Sequence, residues 1–410
     1  MSNLARTLPR AAHDDWIVDK IFLGYSRDAY VRSLLTPWNA IVALILVTGL
    51  PVIAYRFLFG LGAVTNLSQT TPWGLWISLD VLGGVALAAG GYSMALAVYV
   101  FRMEQFHPVV RPAVLTGFLG YFFVVVGLLC DLGLPWHLPV PMVYSFGTLS
   151  VMFEVAWCVC LYLIVLALEF TPPVFEWLNW PRARAIALKA TIPLTIVGFM
   201  LSTMHQSSLG ALFLIAKDKV HPLWYSPSIP LFFFVSSIVA GLSMVIFESA
   251  ISHRLFHDRL DPNAHVDVDA ITVGLARGAS VVLFAYFFLK LQGLIESQSW
   301  NLLNTSYGYW WLFEMLGFIL APAFLYAYGA RHRYVRLLRG VAAWTVVGIV
   351  VNRLNVSIVA LNWSRPTAYV PTLYEVMVSV TIVTIGIQVF RWIVNRMPVL
   401  RDDPAFPVTH

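Results

Sequence analysis

Long apolar runs separated by short polar connections dominate the chain, and the runs outlast what a soluble core would need. Roughly 20 apolar residues, at about 1.5 Å of helical rise each, cross the hydrocarbon of a bilayer. Ten runs meet that length, over 37–60, 72–101, 112–131, 142–168, 186–215, 227–251, 270–294, 308–330, 338–362 and 371–394. The expected fold is an all-α integral membrane protein of about ten transmembrane helices, arranged as two packed helical bundles. The fifth and sixth boundaries are soft, because Ser202 to Ser208 puts polar groups into the fifth run. Residues 1–36 read as an N-terminal arm, 37–394 as the transmembrane domain and 395–410 as a tail. The arm is polar, with no apolar stretch before a small-residue cleavage site, so no signal peptide is expected.

The basic residues set the orientation. Nineteen of the 26 lysines and arginines fall in the arm, the tail and the even-numbered connections. The opposite side holds four, Arg56, Lys217, Lys219 and Arg365, while Arg277, Lys290 and Arg353 lie within the runs. By the positive-inside rule both termini are expected in the cytoplasm. The lightly charged side is rich in tryptophan, namely Trp73, Trp136, Trp224, Trp300, Trp310, Trp311 and Trp363. An interfacial aromatic belt accounts for such a pattern. A docking face for another subunit is the second reading.

With 59% hydrophobic and 11% charged residues, the chain has no room for a large soluble domain. Its net charge of +5 reflects this one-sided distribution and does not point to nucleic acid. Cys130, Cys158 and Cys160 are three in number and lie in or beside apolar runs, so they read as core residues, not a disulfide framework or a metal site. The connection 252–270 carries three histidines and four aspartates. Pro262 and the irregular spacing make it a solvated loop ahead of a metal site.

The most informative stretch is Thr71 to Phe101. It opens on a proline and two tryptophans, which suit an interfacial helix start. Gly83, Gly84, Gly90 and Gly91 allow close approach of a neighbouring helix or a flat ligand. Asp80 would lie roughly 12 Å into the membrane, where a carboxylate is expensive and marks function.

Further polar groups fall inside the runs: Glu154, His205, Gln206, Glu248, Arg277, Lys290, Glu314, Asn352, Arg353, Asn355 and Glu375. Asp80, His205, Gln206, Lys290, Glu314 and Glu375 are expected in the non-cytoplasmic half. Glu154 and Arg353 are expected near the middle, and Glu248 and Arg277 near the cytoplasm. Any one of them reads equally well as a structural ion pair or a snorkelling end residue, Lys290 and Glu375 above all. As a set, Glu154, Glu248, Arg277, Arg353 and Glu314 form the ladder of titratable groups that a proton route needs.

Asp80 and His205 make the sharpest pair. A quinone takes up two protons with two electrons, so its site needs re-protonatable donors, an apolar slot and lipid access. Histidine titrates near neutrality and a carboxylate can relay to it. Trp73 and Trp76 would line the slot. For His205 alone, a satisfied bundle histidine is the competing reading. Bis-histidine haem ligation needs two buried histidines, and of the ten in the chain only His205 falls clearly within a run. Neither haem nor a bound metal is expected, so electrons would come from a partner.

Several motifs together are similar to those of the NrfD/polysulfide-reductase membrane-subunit family. They are Thr71-Pro-Trp-Gly-Leu-Trp, Gly90-Gly-Tyr, His107-Pro-Val-Val-Arg-Pro-Ala-Val-Leu-Thr-Gly, Thr203-Met-His-Gln-Ser-Ser-Leu-Gly and His221-Pro-Leu-Trp. Within that family the chain most resembles the HybB-type subunit of nickel–iron hydrogenase, over roughly residues 37–395. The resemblance implies a subunit of the bacterial inner membrane, without prosthetic group, that binds menaquinone or ubiquinone near the periplasmic face and is not catalytic alone. It implies a periplasmic ferredoxin-like iron–sulfur subunit as electron donor, and a catalytic partner such as nickel–iron hydrogenase or a multihaem cytochrome. It also implies a proton path toward the cytoplasm. By the same analogy Trp73, Asp80, His205 and Gln206 face the quinone, with Glu154 beside them.

Two other classes fit parts of the pattern. Ten helices, buried charge and proline-interrupted spans suit a proton- or ion-coupled secondary transporter, and a purely structural anchor is the weaker third.

Overall fold

A computed structural model describes residues 16–257 and 267–401. Ten helices in it are long and apolar enough to cross a membrane. They are α1 (Pro37–Phe59), α2 (Trp76–Val100), α3 (Glu104–Asp131), α4 (Val151–Trp177), α5 (Pro181–Ala211), α6 (Ile229–Leu255), α7 (Val268–Glu296), α8 (Ser306–Arg331), α9 (Val335–Asn362) and α10 (Leu373–Arg396).

Local chemistry explains where several of them start. Thr36 caps α1 by accepting from the Asn39 amide, with Pro37 in the first turn. Asp267 caps α7, Thr305 caps α8 and Thr372 caps α10 in the same way. The polar stretch Ser202–Ser208 does not interrupt α5. Thr203 and Ser208 donate to the carbonyls of Phe199 and Met204, one turn back, so these hydroxyls are satisfied within the helix. The largest boundary difference is at α4. The run 142–168 divides into a short turn of helix at Val140–Val143, a loop, and a helix starting only at Val151.

Helices α2 to α5 pack in a ring, each against the next and α5 back against α2, and α6 to α9 repeat the same cyclic arrangement. These are two four-helix bundles, joined where α6 meets α2 and α5. Helices α1 and α10 pair with each other and lean on α3. At the seam the α2 and α6 backbones touch: a Cβ on Gly241 would sit 2.7 Å from the Gly90 nitrogen and 2.9 Å from the Ala89 oxygen. Small residues permit such a crossing between membrane helices. The substitution Gly241→Val is therefore expected to cost about 3 kcal/mol by forcing the bundles apart. A fall in the thermal unfolding temperature of the detergent-solubilised protein would register it, and an unchanged value would place the seam elsewhere.

Both ends of the described chain meet on one face, where Arg396 donates to the Ile21 carbonyl and the Tyr30 hydroxyl. The arm before Trp16, the tail after Arg401 and residues 258–266 of the His/Asp-rich connection lie outside the described residues. Among the described residues, no group of three or more His, Cys, Asp or Glu is arranged to hold a metal ion.

The tryptophan belt needs correction. Trp136, Trp300, Trp310 and Trp363 are exposed, but Trp224 and Trp311 are buried. Trp224 belongs to the His221-Pro-Leu-Trp turn, which the His221 amide fastens to the Ala360 carbonyl at 2.8 Å. Burial among Tyr307, Trp363 and Trp224 pushes the His221 imidazole below the usual histidine range, and its Nδ1 accepts from the Leu223 amide.

Candidate functional site

Helix α2 is not a regular helix. Trp76–Gly83 and Leu96–Val100 are wide π-helical turns, the kind that recur at functional sites. Asp80 sits in the first of them. Its Oδ2 accepts from Ser379 on α10 at 2.6 Å. On its other side is Gly127 of α3, where a Cβ would come within 2.9 Å of the Asp80 Cβ. Its surroundings are polar. Arg56 reaches across from α1 to donate to the carbonyls of Cys130, at 2.6 Å, and of Leu132. Its charge also lies near Asp131, whose Oδ1 is buried with no partner in the protein. Trp76 donates to the Glu375 carbonyl at 3.0 Å, and Trp73 packs half-buried against Phe213.

His205 organises a second cluster. Its Nδ1 lies 2.9 Å from the Leu201 carbonyl, which can only accept, so the proton sits on Nδ1. Nε2 shares a 2.5 Å hydrogen bond with the Tyr121 hydroxyl of α3, and in the neutral ring Tyr121 is the donor. The Tyr162 ring of α4 packs against both Tyr121 and His205. Gln206 donates to the Val85 carbonyl of α2 at 3.0 Å. Tyr162 Oη and Ser202 Oγ are buried with no partner in the protein.

Asp80 and His205 are not in contact. Both lean on α3, Asp80 opposite Gly127 and His205 at Tyr121, six residues or about 9 Å apart along the helix axis. Asp80 retains 8% exposure whereas His205 has none.

The second bundle holds a cluster of its own. Glu314 opens a π-helical stretch, Glu314–Leu320, and its carboxylate accepts from Trp224 at 2.8 Å and from Asn352 and Asn355 at 2.6 Å each. Asn352 accepts in turn from Arg353, which also donates to Ser236 and stacks over Phe233 at 4.0 Å. Ser357 of α9, hydrogen-bonded to the Arg353 carbonyl, also contacts Ser78 of α2 at 2.7 Å, two residues from Asp80, so this cluster reaches the surroundings of Asp80. Lys290 and Glu375 do not snorkel: they are 5% and 1% exposed. The Lys290 ammonium lies over the Phe232 ring, 5.6 Å from its centre and within the electrostatic reach of Glu314, and Glu375 accepts from the Asn66 amide and the Tyr369 hydroxyl.

The remaining members of the expected ladder separate. Glu248 lines a cavity of about 220 Å³ on the face where the termini meet, together with His107, Arg111, His253 and Arg401. Thr116 donates to its Oε2 at 2.6 Å, and Oε1 has no protein partner. Arg111, from the His107-Pro-Val-Val-Arg motif, grips Glu176 with both of its terminal nitrogens, at 3.0 and 2.9 Å. Arg277 is exposed on the outside of α7 and joins no cluster described here. Glu154 stands half-buried in the first turn of α4, not at mid-membrane, because that helix starts nine residues later than its apolar run.

Sequence reasoning missed Tyr121, Tyr162, Ser202, Asp131 and Glu169. A search for formal charge inside apolar runs passes over hydroxyls. Asp131 and Glu169 sit at the ends of their runs, where a carboxylate looks like a solvated boundary.

Fold and site together define a multi-pass membrane protein with buried titratable side chains. The family described as Polysulphide reductase, NrfD matches residues 63–362. A protein of Nitratidesulfovibrio vulgaris is 50% identical over 381 residues, covering 92% of this chain and 98% of its own. The "Probable Ni/Fe-hydrogenase 2 b-type cytochrome subunit" of Escherichia coli is 35% identical over 353 residues, covering 85% of this chain and 88% of that one. The "Menaquinone reductase, integral membrane subunit" of N. vulgaris is 26% identical over 389 residues, with the same two shares. The chain belongs to the NrfD family of integral membrane subunits, proteins of the bacterial inner membrane.

The name of the E. coli relative invites a test for haem. Among the described residues the histidine deep in a bundle is His205, which has both ring nitrogens engaged, by Leu201 and Tyr121, and so offers no free lone pair to an iron in this arrangement. The residues here do not fit bis-histidine ligation.

Proposed function

We propose that this chain is the quinone-reactive membrane subunit of a periplasm-facing respiratory oxidoreductase of hydrogenase type. It would exchange electrons between a docked ferredoxin-like iron–sulfur subunit and menaquinone or ubiquinone. Both termini would be cytoplasmic, and proton translocation would accompany turnover. The observation that carries the reading is the fully buried His205 imidazole, hydrogen-bonded at Nε2 to the Tyr121 hydroxyl, an acid–base pair inside the first bundle.

The polar cluster where α2, α3 and α10 meet suits a quinol, whose hydroxyls would donate to carboxylate oxygens. Asp80 keeps some exposure, and the buried Asp131 Oδ1 is an acceptor without a donor. Trp73, Trp76 and Gln206 would bound the ring, with Glu154 at the same end of the bundle. Bound quinone supplies two-electron, two-proton chemistry. Asp80 holds a proton at its carboxylate, and Tyr121 and His205 hold one between Oη and Nε2. Glu248, beside its cavity, and the Glu314–Arg353 cluster are the groups through which protons reach or leave the site. The transporter reading has only the helix count and the buried charge in its favour.

Intact mass spectrometry of the complex purified from native membranes tests this function. An iron–sulfur protein and a lipid-soluble quinone are expected to accompany the chain. A chain that purifies alone, without quinone, and binds a polar solute would overturn it.

A further inference from the structure

The cavity of about 220 Å³ on the face where the termini meet has a chemistry of its own. It is far larger than the roughly 10–15 Å³ that admits one water. Its walls are the starts of α3 and α7, the end of α6 and the segment that follows α10. Helices α3, α6 and α7 have 28, 27 and 29 residues. Each is therefore about 40 Å long and overruns a hydrocarbon layer of about 30 Å, which puts their ends at the level of the lipid head groups. Two levels of the wall differ. On α6, Ser252 stands seven residues, about 10 Å, above Val245 along the axis. The upper level is basic, with His107, His253 and Arg401 beside Ser252, and Arg339 near enough to act on His253. The lower level is apolar, formed by Ala113, Val245 and Ile271. Carboxylates close by are committed elsewhere. Asp269 pairs with Arg339 at 3.0 Å, and Asp267 accepts from the Ala270 amide. Glu248 accepts from Thr116 through one oxygen and has the other buried away from water.

We propose that this cavity binds a glycerophosphate group, presented by an anionic phospholipid of the adjoining leaflet. Basic pockets between membrane helices take such head groups. Ser252, His253 and Arg401 would donate to the phosphate oxygens, and the glycerol carbons would lie against Val245 and Ile271. The order of the two levels matches a lipid in its natural orientation, with charge toward water and carbon toward the hydrocarbon. A bare phosphate would satisfy the rim and leave the apolar floor wet, so the floor favours the glycerol ester. The proposal does not rest on the quinone-reactive reading, because it concerns what the cavity holds and not turnover.

The test uses protein purified from native membranes in mild detergent and stripped of loosely held lipid. Native mass spectrometry after addition of phosphatidylglycerol is expected to show the lipid retained on the chain, with phosphatidylcholine lost. Arg401→Ala is expected to lower the retention about fivefold, the worth of one basic residue at an anionic head group. Arg401 is exposed, so this change tests the rim without disturbing the fold. Ser252→Phe, which fills the cavity, is expected to abolish retention. Arg336→Ala, an exposed residue outside the cavity, should leave it unchanged. Free glycerol phosphate identifies the source. If it fails to displace the lipid at equal concentration, the site belongs to the lipid head group. If it displaces the lipid, the same site serves the soluble ester. Equal retention of the two lipids would overturn the proposal, and so would an equal loss in Arg336→Ala and Arg401→Ala. Unchanged retention in both Arg401→Ala and Ser252→Phe would overturn it as well.

Discussion

Replacing His205 by alanine is expected to lower quinone-linked turnover at least about 100-fold, the usual contribution of a positioned acid–base group. The complex should still assemble. Truncating His205 leaves the Tyr121 hydroxyl without its acceptor in the core of the first bundle, a penalty of about 1–3 kcal/mol, which a bundle of this size tolerates. Asp80→Asn is expected to have a comparable effect on turnover for a different reason. The amide can still accept from Ser379 across the 2.6 Å contact, so the packing survives while the exchangeable proton is lost. Steady-state rates with a soluble quinone analogue, measured beside the yield of intact complex, separate chemistry from assembly. Normal rates in both variants would remove Asp80 and His205 from the site.

Glu314→Leu is expected to be the most destabilising single change in the second bundle, by about 3–5 kcal/mol, the cost of leaving buried charge uncompensated. The substitution removes the acceptor of Trp224, Asn352 and Asn355 at once. It also leaves the buried Lys290 and Arg353, both within the carboxylate's electrostatic reach, without that counter-charge. Thermal unfolding in detergent reads the effect directly. Adding Lys290→Met to Glu314→Leu should return part of the loss, because one of the two cations is then gone, and the double-mutant cycle measures the coupling. Additive effects of the two changes would mean that the ammonium does not depend on Glu314.

Much of the architecture was legible in the apolar runs, because span length and loop charge are one-dimensional properties. All ten helices lie where the runs are, and the polar stretch in the fifth run did not break it. What composition could not convey was which polar groups meet. Asp80 and His205 share α3 as a neighbour but bond to Ser379 and Tyr121, partners 299 and 84 residues away in the chain. Glu154 looked central only because the apolar run opens before the helix does. Arg277 looked buried only because the run around it is apolar, when that part of α7 faces outward. The His205 cluster was half visible: the imidazole stood out, whereas the two tyrosines and the serine around it are ordinary membrane-helix residues until three helices bring them together.

The wide turns in α2 and α8 carry one further consequence. A π turn holds one residue more than a regular turn, so the direction in which Asp80 points is set by how many residues lie between Trp76 and Gly83 as much as by which they are. A chain one residue shorter there would have nearly the same composition and the same length of apolar run. Its carboxylate would be aimed about 100° away, toward a different neighbour altogether. In this protein a single-codon deletion can therefore undo a placement that most substitutions on the same helix would leave in force.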